Sequence, residues 1–100
     1  MKVSDQIGIP ALLEQTAEEC MELAHACLKL ARILRKENPT PCYGMDVVKN
    51  VNEEAADILV CLDALYEASI ISDDAVEDIK NIKKERWKSR IAENIKERMM

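Results

Sequence analysis

Two short segments of this sequence repeat the same arrangement of carboxylates, 35 positions apart. The first segment holds Glu18, Glu19 and Glu22, and the second holds Glu53, Glu54 and Asp57. On a helix, residues three or four positions apart lie on one face, so each segment presents its acids together. Carboxylates gathered from two packed helices repel one another and must either take up protons or bind cations. A ligand set made only of oxygen atoms favours Mg²⁺ or Mn²⁺ over zinc.

Asp57 is the acid whose surroundings favour a functional role most strongly. It is the only polar residue between Ala55 and Leu62, in a segment that otherwise predicts a buried helix. An isolated buried carboxylate is costly unless its charge is compensated. We therefore interpret Asp57 as a metal ligand, and we expect the acids of the first segment to face it across a helical bundle.

The acids of the first segment have a simpler explanation when they are considered alone. They belong to a polar stripe at helical spacing that also contains basic side chains. Its members are Glu14, Glu18, Glu22, His25, Lys29 and Arg32. A polar stripe opposite an apolar arc is typical of a solvated helix face. For the first segment, both interpretations stay open.

Three predicted helices position these acids. The first extends from about Pro10 to Lys36, and its proline suits the first turn of a helix. The second extends roughly from Asp46, a suitable N-cap, to Ile70. The third begins after Ser72, which we expect to cap it. Between the first two helices, residues 37–44 hold two prolines and a glycine and therefore predict a loop.

The apolar residues of these helices predict an all-α, antiparallel helical bundle. The first helix has an apolar arc formed by Leu13, Ala17, Cys20, Ala24, Cys27, Ala31 and Leu34. The second is apolar on almost every side between Ala55 and Tyr66, as expected for a helix at the centre of a bundle. The third is charged apart from a narrow apolar stripe formed by Val76, Ile79, Trp87, Ile91 and Ile95.

The bulk composition restricts the class of protein. A length of 100 residues predicts one domain over 1–100, and a short chain of about three helices favours completion of the bundle in a homodimer or homotetramer. The net charge of −5 argues against a nucleic-acid-binding module. The sequence has no signal peptide and no long apolar span, so we expect no membrane association.

The four cysteines show no spacing typical of a zinc site. Cys20, Cys27 and Cys61 lie within apolar helical runs, where cysteine behaves as a small hydrophobic residue. Reduced thiols are typical of the cytoplasm, which is therefore the expected location.

The charges are unevenly distributed along the chain. Residues 80–98 hold eight basic and three acidic side chains, whereas residues 1–79 hold six basic and sixteen acidic ones. The acidic part needs cations. The basic part could contact phosphates, although a solvated helix face is the commoner explanation when it is considered alone.

The two acidic motifs resemble the signature of the MazG-like all-α nucleoside triphosphate pyrophosphohydrolases, which carry ExxE on one helix and ExxD on the next. The matching residues are Glu19 with Glu22 and Glu54 with Asp57, and Glu18 and Glu53 complete the doubled acids often found there. The resemblance covers about residues 10–70. It departs from the family in two places: 31 residues separate the two motifs, which is longer than usual, and Cys61 stands one turn after the ExxD motif, where some members have Tyr.

The resemblance implies hydrolysis of a (deoxy)nucleoside triphosphate to the monophosphate and pyrophosphate, a reaction that cleans the nucleotide pool. The implied Mg²⁺ ligands are Glu19, Glu22, Glu54 and Asp57, and Glu18 or Glu19 would orient or deprotonate the attacking water. The candidates for phosphate contacts are Lys49, Lys83, Lys84 and Arg86. Tyr43 and Trp87 could stack on the base, although packing in a core or an interface is the commoner role for each.

Two other functional classes remain possible on the sequence. Glu22 and His25 form an ExxH motif of the kind that ferritin-like di-iron proteins use, but His25 is the only histidine and shares its stripe with Lys29 and Arg32. A non-catalytic helical interaction module would account for the amphipathic helices. It would not account for Asp57 within an apolar segment.

Overall fold

The computed structural model describes residues 1–36 and 44–100, and these residues form four α-helices and no strand. The helices are α1 (Val3–Ile7), α2 (Ile9–Arg35), α3 (Gly44–Glu67) and α4 (Asp73–Met99). The predicted all-α class is confirmed, and three of the helices are those expected. The chain divides into two compact units, Met1–Ala68 and Ser69–Met100. The single domain over 1–100 stays a prediction.

The short helix α1 was not predicted, because the first predicted helix began only at Pro10. At its N-terminus, the backbone N–H of Lys2 donates a capping hydrogen bond to Asp5 Oδ2 at 3.3 Å. Gly8 separates α1 from α2 with φ of 87°, a conformation that side chains with a Cβ rarely adopt. The glycine therefore lets the chain change direction between two helices that only one residue separates.

The ends of the long helices follow local backbone chemistry. Helix α2 ends at Arg35, and Lys36 adopts the left-handed conformation typical of the residue after a helix. Helix α3 ends at Glu67, three residues before the predicted end, because Ser69 has φ of 61° and cannot continue the helix. Ser72 caps α4 as predicted, and its Oγ accepts a hydrogen bond from the Ala75 N–H at 3.4 Å.

The predicted loop lies outside the described residues except at its last position. That position is Gly44, which is the first residue of α3, so the helix begins two residues before the expected Asp46. Tyr43 and Cys42 also lie outside the described ranges.

The core of the first unit lies between α2 and α3, which form its main helix–helix contact. The face of α2 that packs on α3 is not the predicted apolar arc. Its buried members are Leu12 and Ala26, with Thr16, Glu19, Leu23, Leu30 and Ile33 half-buried. The predicted arc is instead exposed apart from the half-buried Ala31, and Leu34 is 72% exposed. We call this exposed set, from Leu13 to Leu34, the outer arc.

Helix α3 is covered on one face only, contrary to the prediction of a helix buried on all sides. Its buried residues are Val47, Cys61, Ala64 and Leu65. Leu59 and Val60 are 60% and 67% exposed, and Asp57 is exposed as well. Within the first unit only α1 and α2 pack against this helix, and two neighbours on one side cannot enclose it.

The cysteines follow the same division between covered and exposed faces. Cys61 is buried, as expected for a small hydrophobic residue in a core. Cys20 and Cys27 belong to the outer arc and are exposed, so they do not contribute to the core of a single chain.

The second unit contains α4, a long and largely charged helix. Its predicted apolar stripe is exposed except for the half-buried Val76. Exposed ion pairs join Lys80 to Glu77 at 3.7 Å and Lys88 to Glu85 at 3.6 Å, and such surface pairs contribute little to stability. No described helix, in either unit, is both long and apolar enough to cross a membrane.

The two neighbouring leucines of α2 test which of its faces forms the core. Leu12 is 2% exposed and Leu13 is 45% exposed. We expect Leu12→Ala to lower the free energy of unfolding by about 2–5 kcal/mol, because it leaves a cavity in the core. Leu13→Ala is the matched control and should cost the fold of a single chain less than about 1 kcal/mol, whereas a larger loss that appears only at the higher protein concentration would report association through the outer arc. Chemical denaturation at two protein concentrations measures both, and equal losses for the two variants would contradict this assignment of the core.

Candidate functional site

The contact between α2 and α3 brings three glutamates together. One carboxylate oxygen from each of Glu19, Glu22 and Glu54 lies within 4.8 Å of the other two. Glu19 and Glu54 are half-buried, whereas Glu22 is exposed. Residues late in α2 approach residues early in α3, so the two helices run antiparallel. The first and second acidic segments therefore meet across the helix contact, as the sequence predicted.

Helical periodicity explains why Glu19 and Glu54 are half-buried. Glu19 lies between Thr16 and Leu23 on the packing face of α2, at steps of three and four residues. Glu54 lies in the same way between Val51 and Ile58 on the packing face of α3. Each helix thus places one carboxylate within an otherwise largely apolar seam.

Hydrogen bonding satisfies these two carboxylates only in part. The Gln15 side chain donates a hydrogen bond from Nε2 to Glu19 Oε1 at 2.8 Å and thereby orients that carboxylate. Within the described residues, Glu19 Oε2 and Glu54 Oε2 are buried atoms with no hydrogen-bond partner. Most buried polar atoms in folded proteins have a partner, so these two oxygens need an explanation.

Burial and mutual repulsion disfavour the ionised forms of both glutamates. Loss of solvation raises the pKa of Glu19 above its usual value, and the charges of Glu22 and Asp57 raise it further, against the lowering effect of the Gln15 hydrogen bond. Loss of solvation likewise raises the pKa of Glu54, and the nearby charges of Glu22, Asp57 and Glu19 raise it further. The group as a whole therefore favours a bound proton or a cation.

The remaining acids of the two motifs lie outside this group of three. Glu18 and Glu53 are exposed. Asp57 is exposed, not buried as the sequence pattern suggested, but its charge acts on both Glu19 and Glu54. Asp57 therefore lies beside the group, and its role as a ligand stays a prediction.

The basic and aromatic candidates are spread over both units. Lys49 is exposed on α3 of the first unit. The others, Lys83, Lys84, Arg86 and Trp87, are exposed on α4 of the second unit. Tyr43 lies outside the described residues. Their suggested contacts with phosphate or base stay predictions.

A cavity of about 430 Å³ adjoins the acids and contains polar residues that the sequence analysis did not assign to a site. Glu22 and Glu54 line it together with His25, Lys29, Arg32 and Asn50, and the buried Ala26 is also part of its wall. The signal for three of these residues was present, because His25, Lys29 and Arg32 continue the polar stripe of Glu22. A solvated helix face also explains this stripe, and on the sequence only His25 has a further interpretation, as part of the ExxH motif. Asn50 had no comparable signal.

Comparison with protein-family models gives no match to this sequence, and comparison with curated proteins and with solved structures gives none either. The candidate site therefore rests on the geometry of the chain itself.

The raised pKa of Glu54 predicts how its replacement changes stability with pH. A carboxylate whose pKa is raised in the folded state destabilises the fold when it is ionised, and this effect vanishes as the pH falls below the usual Glu value of about 4.3. Metal-free Glu54→Gln should therefore melt above wild type at pH 7, and the difference should shrink as the pH falls towards 4. Calorimetry at several pH values with chelator present measures this.

The exposed neighbour Glu53 provides the matched control for this measurement. Glu53→Gln removes the same charge one position away, outside the group of three, and should change the melting temperature less. A Glu54→Gln protein that melts at or below wild type at pH 7 would show that the ionised carboxylate is stabilised by its surroundings.

Proposed function

We propose that this chain is a magnesium-dependent nucleoside triphosphate pyrophosphohydrolase of the MazG-like superfamily. The observation that carries the proposal is the meeting of Glu19, Glu22 and Glu54 across the α2–α3 contact, with two buried carboxylate oxygens left unpartnered. A solvated helix face does not require such atoms. A cation supported by three or four carboxylates gives them a role.

The geometry and the donor type of this group suit Mg²⁺ with little rearrangement. Magnesium binds oxygen ligands at about 2.0–2.1 Å, so two ligand oxygens on one ion lie at most about 4.2 Å apart. The three glutamate oxygens lie within 4.8 Å of one another, so small changes of side-chain conformation would bring them onto one ion. Asp57 is proposed as the fourth ligand, because its charge already acts on Glu19 and Glu54.

The acidic residues of the site would have different roles in the reaction. Mg²⁺ bound here would neutralise the triphosphate and lower the pKa of a bound water. Glu19 is the preferred general base, since the hydrogen bond from Gln15 orients one of its oxygens. Glu18 is the second candidate. The water oxygen bonds to the α-phosphorus, its proton passes to the base, and the bond from the α-phosphorus to the bridging oxygen breaks to release pyrophosphate.

The two alternative classes receive less support from the same geometry. In a ferritin-like di-iron site the ExxH histidine would join the carboxylates. His25 lines the adjacent cavity, but among the described residues the gathered ligand atoms come from three glutamates and no histidine. A non-catalytic interaction module gives no reason for two unpartnered carboxylate oxygens in a helix contact.

The products of nucleotide hydrolysis test the proposed reaction. With Mg²⁺ and a panel of (d)NTPs, we expect a nucleoside monophosphate and pyrophosphate from at least one substrate. Chromatography of the nucleotides, together with separate assays for pyrophosphate and orthophosphate, distinguishes the outcomes. Stepwise release of orthophosphate through a diphosphate, or no turnover of any nucleotide, would refute the proposal.

Asp57→Asn and Asp63→Asn form the matched pair for this assay. Both replace an exposed aspartate of α3 with its amide, but only Asp57 acts on the glutamate group. Turnover should fall by orders of magnitude in Asp57→Asn and stay near wild type in Asp63→Asn. The stabilisation of the fold by Mg²⁺ should also decrease only in Asp57→Asn.

We further propose that the protein works as a homodimer or homotetramer in which a second copy covers the outer arc. Light scattering at micromolar concentration should then give at least twice the 11.3 kDa of one chain. Cys27→Asp places a charge within the outer arc and should lower the mass towards that of the monomer, whereas the uncharged Cys27→Ser should not. A stable wild-type monomer would contradict this assembly.

A further inference from the structure

The cavity beside the acids has walls of opposite charge. Glu22 and Glu54 lie at its acidic end, and Lys29 and Arg32 supply two positive charges further along α2. Asn50 contributes an amide from α3. The cavity, of about 430 Å³, is lined entirely by residues of the first unit. Anionic and cationic side chains therefore line the same small cavity.

The order of these charges follows from the geometry of α2. The steps from Glu22 to His25, Lys29 and Arg32 are three, four and three residues, which keeps all four on one face. At a rise of 1.5 Å per residue, the Cα atoms of Glu22 and Lys29 lie about 10 Å apart. Helical side chains point back towards the N-terminus of their helix. This tendency directs the long side chains of Lys29 and Arg32 towards the acidic end.

Among the residues that the structure describes, no carboxylate forms an ion pair with either of these two cations. Within residues 1–36 and 44–100, neither the Lys29 nor the Arg32 side chain has an ion pair or a hydrogen bond, although Lys29 is half-buried. On the exposed α4, by contrast, Lys80 and Lys88 each pair with a glutamate. A cationic side chain that lines a cavity without an ionic partner is available to bind an anion there.

We propose that Lys29 and Arg32, with Asn50, form the subsite that binds the two terminal phosphates of the substrate. This inference rests on the proposed function, in which the acids at the other end of the cavity would bind a cation that contacts the α-phosphate. The guanidinium of Arg32 donates two parallel hydrogen bonds to phosphate oxygens, Lys29 supplies a point charge, and the Asn50 amide donates a further hydrogen bond. The site therefore recognises the length of the phosphate chain and not the base.

The subsite also stabilises the leaving group. When the bond between the α- and β-phosphates breaks, negative charge develops on the departing pyrophosphate, next to Arg32 and Lys29. Positive groups fixed at that position lower the barrier as well as the KM. The candidates named from the sequence, Lys49 on α3 and the basic residues of α4, are not needed for this role.

Binding of inorganic tripolyphosphate tests the subsite without any nucleoside. In isothermal titration with MgCl₂ present, wild type should bind tripolyphosphate more tightly than pyrophosphate, and orthophosphate most weakly. Lys29→Gln and Arg32→Gln should each weaken tripolyphosphate binding by at least about tenfold, which corresponds to ~1.4 kcal/mol. Lys29→Arg keeps the charge and should retain most of the affinity. Lys96→Gln, which removes a charge from exposed α4, should bind as wild type does.

Titration of Mg²⁺ alone separates this inference from the proposed function. Lys29→Gln and Arg32→Gln should bind Mg²⁺ as wild type does, whereas Glu54→Gln should lose it. If wild type does not bind Mg²⁺ but Lys29→Gln still weakens tripolyphosphate binding, the proposed enzyme is wrong and the anion subsite stands. If wild type does not bind tripolyphosphate, or if the two cavity variants match Lys96→Gln, the subsite is refuted whatever the result with Mg²⁺. Circular dichroism confirms that each variant remains helical.

Discussion

The seam between α2 and α3 has to hold two carboxylates within a contact that is otherwise largely apolar. Glu19 and Glu54 lie at positions where helical periodicity would place apolar residues, and each keeps one buried oxygen without a partner. These two glutamates repel each other and are also repelled by Glu22 and Asp57. The repulsion opposes the helix packing that brings the four acids close together. The apolar contacts around Leu12, Ala26 and the core residues of α3 must offset this repulsion.

A cation would remove that conflict, which links stability to the proposed chemistry. Bound in the seam, it would be ligated from both helices and would hold them in register. Positive charges lie beside this acidic group. Lys29 and Arg32 follow Glu22 on the same face of α2 and line the same cavity. A metal-complexed phosphate chain carries both the positive and the negative charge that such a cavity can neutralise. Substrate and metal would then stabilise the fold together.

The same seam leaves much apolar surface uncovered. Helix α2 has apolar residues on two faces, and the contact with α3 uses only the one that contains Leu12 and Ala26. The outer arc, with Leu34, and the outward Leu59 and Val60 of α3 remain exposed in a single chain. Exposed apolar surface of this kind marks sites of association. The proposed assembly would supply the neighbours that α3 lacks within the first unit.

The sequence by itself determined the all-α class, the proline near the start of α2, the Ser72 cap and the placement of each set of acids on one face of its helix. Each of these depends on local chemistry or on spacing along one helix. Only the tertiary structure decided that α2 packs through Leu12 and not through the outer arc, that Asp57 is exposed, and that Lys29 and Arg32 share a cavity with Glu22 and Glu54. Periodicity defines the faces of a helix, but when two faces are apolar, the neighbouring helix selects which one is buried.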